Sequence, residues 1–261
     1  MLRVTHRGAS QCHSFLKSWI FTSLFVSLVM PALIACTTDE KKSDTPEGAY
    51  ALAQEYEKDD RFEEAIRRYN EVKNKFPYSK YATMAELAVA DTYYKQESFP
   101  EAQVAYQNFK ELHPKHPQVD YVTYKLAMSY FEQLPGTVDR DLTLSNSAIL
   151  YFDEVLHQYP NSTHLQEAKD KRAECLKKLA GKEEYIADFY FKKEMYDSAL
   201  NRYEGLVRTY PGLGLDAKAL SRAAICAQRS GDLERAKRDL SLLKQKFPGS
   251  TELEAASKEV H

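Results

Sequence analysis

Asp120-Tyr121-Val122-Thr123-Tyr124-Lys125-Leu126-Ala127-Met128-Ser129-Tyr130-Phe131 carries too much apolar surface for one face of an α-helix. Leu126, Ala127 and Tyr130 fall on one stripe. Tyr121, Tyr124, Met128 and Phe131, at i, i+3, i+7 and i+10, fall on a second. A helix with two apolar faces is either buried all round or offers one face to a ligand. The segment belongs to a repeated unit, and the unit decides the fold.

An alanine, an aromatic or leucine four residues on, and a proline eight beyond that recur as Ala65/Tyr69/Pro77, Ala102/Tyr106/Pro114, Ala148/Phe152/Pro160, Ala199/Tyr203/Pro211 and Ala236/Leu240/Pro248. Upstream of each lies a second helical signature: Ala53/Tyr56, Ala90/Tyr93, Ala127/Tyr130, Ala187/Tyr190 and Ala224/Ala227. The pattern resembles the tetratricopeptide repeat. Small residues let two helices approach, aromatics fill the gaps, and proline breaks the chain into the next unit. The fold class expected is all-α, a superhelical array of five tetratricopeptide helix hairpins.

The marker alanines are separated by 37, 46, 51 and 37 residues. The 46 places an insertion around Leu134–Asp141, whose proline, glycine and close charges predict an exposed loop. The 51 predicts a long helix from about Thr163, with Gly181 as its expected break. Repeats one to three then occupy residues 46–160, and repeats four and five residues 161–261.

Residues 1–35 stand outside this pattern. Arg3, Arg7 and Lys17 precede an apolar run from Trp19 to Leu33, followed by Leu33-Ile34-Ala35-Cys36. A basic lead, an apolar segment and small residues describe an export signal. The run is short for a membrane-spanning helix. The tetrapeptide resembles the bacterial lipobox, which implies removal of residues 1–35, covalent lipid on Cys36 and a polar tether over residues 36–45. Thr37 follows, where aspartate would imply retention at the inner membrane, so the expected destination is the outer membrane. Cys175 and Cys226 read as small core residues.

Charge is uneven. Residues 36–160 hold 14 Lys/Arg against 22 Asp/Glu, and residues 161–261 hold 19 against 16. A polarised array suits different partners at its two ends. The basic excess is too small, and too mixed with acids, to suggest nucleic acid.

The sequence contains no nucleophile elbow, phosphate-binding glycine loop or zinc-binding His/Cys spacing, so neither an enzyme nor a metal protein is expected. His113, His116, His157 and His164 flank proline turns and read as solvated loop residues. The tetratricopeptide resemblance implies that the first helix of each hairpin lines an inner groove. Its positions here are Glu47, Tyr50, Gln54 and Glu57; Met84, Leu87, Asp91 and Tyr94; Tyr121, Tyr124, Met128 and Phe131; Gly181, Glu184, Asp188 and Phe191; and Lys218, Ser221, Ile225 and Gln228. The candidate peptide groove is therefore Tyr50, Met84, Leu87, Asp91, Tyr94, Tyr121, Tyr124, Met128 and Phe131. The competing reading is that these side chains fill a tight superhelix. The Lys/Asn clamp of chaperone-tail binders is missing.

Further motifs narrow the resemblance. His113-Pro114-x-His116-Pro117-x-x-Asp120-Tyr121-x-x-Tyr124, the loop Val138-Asp139-Arg140-Asp141, Tyr159-Pro160-Asn161-Ser162, Leu179-Ala180 followed by Glu183 and Phe189-Tyr190, and Asn201-Arg202-x-Glu204-Gly205 make the chain similar to the BamD family of outer-membrane β-barrel assembly lipoproteins. The resemblance implies a lipid-anchored, periplasm-facing scaffold. Its C-terminal repeats would dock the periplasmic part of BamA through Arg202 and Glu204. Its N-terminal repeats would meet unfolded barrel precursors and, in some lineages, accessory lipoproteins. No cofactor other than the lipid on Cys36 is implied. The alternative is another periplasmic tetratricopeptide adaptor, for cell division or envelope tethering; presence of the repeat-three loop favours the first reading.

Overall fold

The computed structural model describes residues 44–261. Cys36 and the proposed signal and tether up to Ser43 lie outside them. Eleven helices follow one another among the described residues: α1 (Pro46–Lys58), α2 (Phe62–Lys75), α3 (Lys80–Lys95), α4 (Phe99–Leu112), α5 (Val119–Phe131), α6 (Thr143–Gln158), α7 (Leu165–Lys192), α8 (Tyr196–Thr209), α9 (Asp216–Ser230), α10 (Leu233–Lys246) and α11 (Thr251–Glu259). The first ten make five tetratricopeptide-type hairpins, and α11 is a short additional helix.

The repeat markers do what their chemistry requires. The second-helix alanines Ala65, Ala102, Ala148, Ala199 and Ala236 are fully buried, and so are the first-helix alanines Ala53, Ala90, Ala127, Ala187 and Ala224. Without side chains beyond Cβ, the two helices of a hairpin can close on each other. Tyr69, Tyr106, Phe152 and Tyr203 fill the space beside these contacts and are buried in turn.

The five prolines act through the residue before them. Phe76, His113, Tyr159, Tyr210 and Phe247 end α2, α4, α6, α8 and α10 with φ between −134 and −123° and ψ between 53 and 65°. A following proline ring disfavours αR at these positions and so stops each helix at the same point. Each cap N–H still reaches the carbonyl four residues back, as His113 N–H does to Phe109 O at 2.8 Å.

The turn inside each hairpin needs one left-handed residue, five before the marker alanine. Gly231 (φ 86°) supplies it in repeat five, but Asp60 (φ 55°), Glu97 (φ 60°) and Glu194 (φ 58°) occupy it in repeats one, two and four. A side chain in αL costs about 1–2 kcal/mol, part of which glycine returns as unfolded-state entropy. Glu97→Gly is expected to stabilise the protein by about 0.5–1 kcal/mol, read as a melting temperature roughly 2 °C higher. An unchanged or lower melting temperature would mean that Glu97 makes up the strain elsewhere.

In repeat three the insertion replaces that turn. Gly136, Thr137, Asp139, Arg140 and Asp141 are exposed, as expected, and α7 holds the loop. Lys178 Nζ donates to Pro135 O at 3.0 Å and Lys182 Nζ to Arg140 O at 2.8 Å. Leu134 packs against the core of repeat three. Asp141 accepts from the Thr143 N–H at 2.9 Å, ahead of α6.

Helix α7 runs for 28 residues through Gly181 without a break, which corrects the expected interruption. One glycine costs a helix about 1 kcal/mol, far less than the packing of α7 on both sides of it. Glycine is useful here because Val138 Cγ1 lies 3.3 Å from where a Cβ would be. The first half of α7 buries Ala168 and Cys175 against repeat three, and the second buries Ala187 against repeat four. Packing is thus continuous across residue 160, between repeats three and four. By compactness the described chain divides at Ala82/Thr83, in the first turn of α3.

Cys175 and Cys226 are buried and unbridged. Burial pushes their thiols up, to about 11 and about 12, as expected of inert core cysteines.

Candidate functional site

In the first unit Tyr50 belongs to a ring cluster, with centroids 5.4 Å from Tyr69 and 5.7 Å from Tyr81. Tyr69 Oη donates to Glu57 Oε2 at 2.6 Å. The other candidate groove residues lie in the second unit.

There the inner face is built around Asp91 on α3. Tyr106 Oη from α4 and Tyr121 Oη from α5 both donate to its Oδ1, at 2.6 and 2.8 Å. Burial raises the Asp91 carboxyl; the two hydroxyls, and Lys125 beside them, oppose that rise without cancelling it. The phenols of Tyr106 and Tyr121 are pushed well up, first by burial and then by Asp91. Asp91 thus ties three helices together and is not an idle acceptor for a peptide backbone.

The unit repeats in the C-terminal half with one change. Tyr203 Oη donates to Asp188 Oδ1 at 2.5 Å, while Lys218 Nζ reaches Asp188 Oδ2 at 2.8 Å and Glu184 Oε1 at 2.7 Å. Spacings of 15 and 30 residues are the same in both triads. Lys218 therefore stands where Tyr121 stands. Burial raises the Asp188 carboxyl, but the Lys218 and Tyr203 hydrogen bonds outweigh it and hold it below the usual range. Sequence reading placed Asp188 and Lys218 at inner positions without seeing the triads; the shared spacings were the available signal.

Four candidate groove residues do not line a groove. Leu87, Tyr124, Met128 and Phe131 are buried. Helix α7 and the turn before it account for the last three. His164 stacks on Tyr124 with centroids 4.5 Å apart and planes at 7°, Lys171 Nζ sits 4.4 Å over the Phe131 ring, and Phe152 of α6 closes the other side. The second stripe of α5 is thus a packing face for the extra helix. Leu87 is buried in the core shared by α3, α4 and α5.

Met84, Tyr94 and Tyr121 remain accessible in part. Tyr94 carries Lys125 Nζ 3.9 Å above its ring and meets Phe99 edge-on at 5.4 Å. Burial, then Glu132, pushes its phenol up to about 12. Burial likewise pulls the Lys125 ammonium down, against Asp91 and two glutamates. The accessible inner surface is narrower and more polar than the stripe suggests.

His113, His116 and His164 are packing residues as well, which corrects the solvated reading for them, while His157 is exposed as expected. His113 Nε2 lies 2.6 Å from Glu86 Oε2 and its ring 4.8 Å from Phe109; His116 meets Phe109 at 5.1 Å. Among the described residues no group of three or more His, Cys, Asp and Glu could hold a metal ion.

Arg202 and Glu204, two residues apart on α8 and so on different faces of it, have different settings. Arg202 is 46% exposed, with one ion pair, Nη1 to Glu183 Oε2 at 2.9 Å. Such a pair is worth about 0–1 kcal/mol, so the guanidinium is free to change partner. Glu204 is held internally by α10: Arg235 Nε donates to it at 3.0 Å and Arg238 also pairs with it. Its carboxyl is held low despite partial burial. Neighbouring Asp239 is buried, and burial keeps its carboxyl raised. Glu204 fastens α8 to α10 and is not available to a partner as Arg202 is.

A cavity of about 530 Å³ opens beside the repeat-three loop, lined by Val138, Lys178, Gly181, Tyr185, Asp188 and Leu215 among others. Gly181, Glu184 and Asp188 of its lining are inner positions in the sequence reading, whereas Val138 reaches it only because the loop meets α7.

Helix hairpins, each closed on an alanine seam and filled by buried aromatics, define a protein of the tetratricopeptide-repeat class. The family model described as YfiO, outer membrane lipoprotein, matches residues 42–240, and the chain belongs to that family. It is 28% identical over 244 residues to outer membrane protein assembly factor BamD of Neisseria meningitidis serogroup A, covering 87% of this chain and 91% of that one. With the Vibrio cholerae protein of the same name it shares 25% identity over 204 residues, covering 74% and 85%.

Proposed function

We propose that this chain is a periplasm-facing scaffold of the outer-membrane β-barrel assembly machinery, docking BamA with repeats four and five. Cys36 would carry the lipid that holds it to the outer membrane. The family match supports the machinery. The exposed Arg202 guanidinium, in a single weak ion pair, supports the docking site: a planar cation of this kind can pair with a partner's carboxylate through two parallel hydrogen bonds. Glu204 contributes indirectly, by fixing α8 against α10 and so fixing the helix that presents Arg202. Unfolded barrel precursors would meet the accessible residues of the second unit, Met84 with the polar-tipped aromatics Tyr94 and Tyr121, a surface that suits transient binding of an extended chain. A non-enzymatic role accords with relatives named as assembly factors.

Arg202→Glu tests the docking site. It should reduce co-purification of BamA from solubilised outer membranes at least ten-fold. Stability should change by no more than about 0.5 kcal/mol, as for other exposed charges. BamA recovery equal to that of the parent chain would remove Arg202 from the interface.

A further inference from the structure

We infer that the outward face of the C-terminal half of α7 docks on an anionic lipid leaflet. Lys178, Lys182, Tyr185, Phe189, Lys192 and Lys193 fall within one arc of about 100° around the helix. Tyr185 and Phe189, one turn apart, are 55% and 52% exposed. Lys192 and Lys193 are exposed, and among the described residues neither forms an ion pair.

The acids of the helix itself point elsewhere and are neutralised, while Glu194, exposed just past its end, offsets Lys193 in part. Glu183 pairs with Arg202 at 2.9 Å, and Glu184 and Asp188 pair with Lys218 at 2.7 and 2.8 Å. At the other end of the face, Lys178 and Lys182 donate to loop carbonyls, and Asp139 and Asp141 of that loop offset Lys182 in part. Positive charge is therefore in excess at Lys192 and Lys193, beside the two exposed rings. Exposed aromatic rings flanked by lysines on one helix face are the arrangement that settles at a headgroup boundary: the rings enter, and the long lysine stems keep their ammonium groups at the phosphates. An acidic protein would meet the same charge. It would also have to supply a fitted hollow for the two rings, whereas a headgroup boundary takes them without one. The surface is distinct from the proposed BamA contact at Arg202, which lies on α8.

Phe189→Trp turns the face into its own reporter, since Trp19 is the only other tryptophan and the parent spectrum can be subtracted. The full chain is reconstituted in vesicles of phosphatidylcholine, with or without one quarter phosphatidylglycerol. Emission should shift to the blue, and brominated lipid should quench it, only with phosphatidylglycerol. Each lysine near an anionic leaflet is worth about five-fold in binding. Lys192→Glu with Lys193→Glu should therefore lower partition of the unlipidated Cys36→Ser chain by at least about 25-fold. BamA capture by the same double variant should be unchanged, which separates this surface from the docking site. Solvent-like emission in both vesicle types overturns the inference. So does a blue shift that needs an added acidic protein and no lipid, which would assign the face to a protein partner.

Discussion

Tyr124→Ala combined with Phe131→Ala is expected to melt far below the parent chain, by on the order of 10–20 °C. Both residues lie on the stripe that could have lined a peptide groove, and both are buried, at 4% and 9% exposure. Truncating a buried aromatic costs about 3–5 kcal/mol. The two share Phe152 as a neighbour, so their costs should not add fully. A domain of this size loses roughly 2–4 °C per kcal/mol. Met84→Ala, on an exposed residue of the same proposed groove, serves as the control and should move the melting temperature by less than about 2 °C. Thermal melting followed by circular dichroism distinguishes the cases. A double variant that melts with the parent would return α5 to the inner surface and leave α7 without its packing role.

The second large effect concerns the aspartates that anchor the buried tyrosines. Asp91→Ala and Asp188→Ala should each cost about 2–3 kcal/mol, measured as a shift in urea midpoint. The exposed ion pair of Asp188 with Lys218 contributes little of this. The dominant loss is the acceptor of a fully buried tyrosine hydroxyl, Tyr106 or Tyr203, which is left unsatisfied. Asp91→Asn should behave differently, because its Oδ1 can still accept from both tyrosines while the buried charge is gone. Neutral or slightly raised stability is expected. Asp188→Asn keeps Tyr203 but loses the attraction of Lys218, and should fall between.

The two acids also predict opposite pH responses. Asp188 has its folded value held below the unfolded one, so its contribution is present above about pH 4 and is lost as pH falls through the folded value. Asp91 is raised on folding, so the protein loses stability as pH rises from the unfolded value through the folded one. Midpoints measured between pH 3 and 7 should therefore show less acid destabilisation in Asp188→Asn than in the parent. In Asp91→Asn the gain over the parent should grow with pH across that window. Equal slopes in all three chains would contradict the triad account.

The array was legible from the sequence because its causes are local and repeated. Alanine at a helix contact, an aromatic four residues later and proline at the stop act through sterics within one hairpin, and five copies in register leave little room for another reading. The position of the repeat-three insertion and the core placement of Cys175 and Cys226 followed from the same pattern. Three features depended on contacts between distant segments. The apolar stripe Tyr121/Tyr124/Met128/Phe131 could serve as groove or core with equal periodicity. Only the arrival of His164, Lys171 and Ala168 from the extra length before repeat four decided that three of its members are core. Gly181 carries a local penalty against helix, and the packing of α7 on repeats three and four outweighs it. Arg202 and Glu204 look equivalent as charges two residues apart on one helix, yet Arg235 and Arg238, more than thirty residues away, hold one of them and leave the other exposed. Periodicity records which side chains share a face; which faces meet is settled by packing between segments that are remote in the chain.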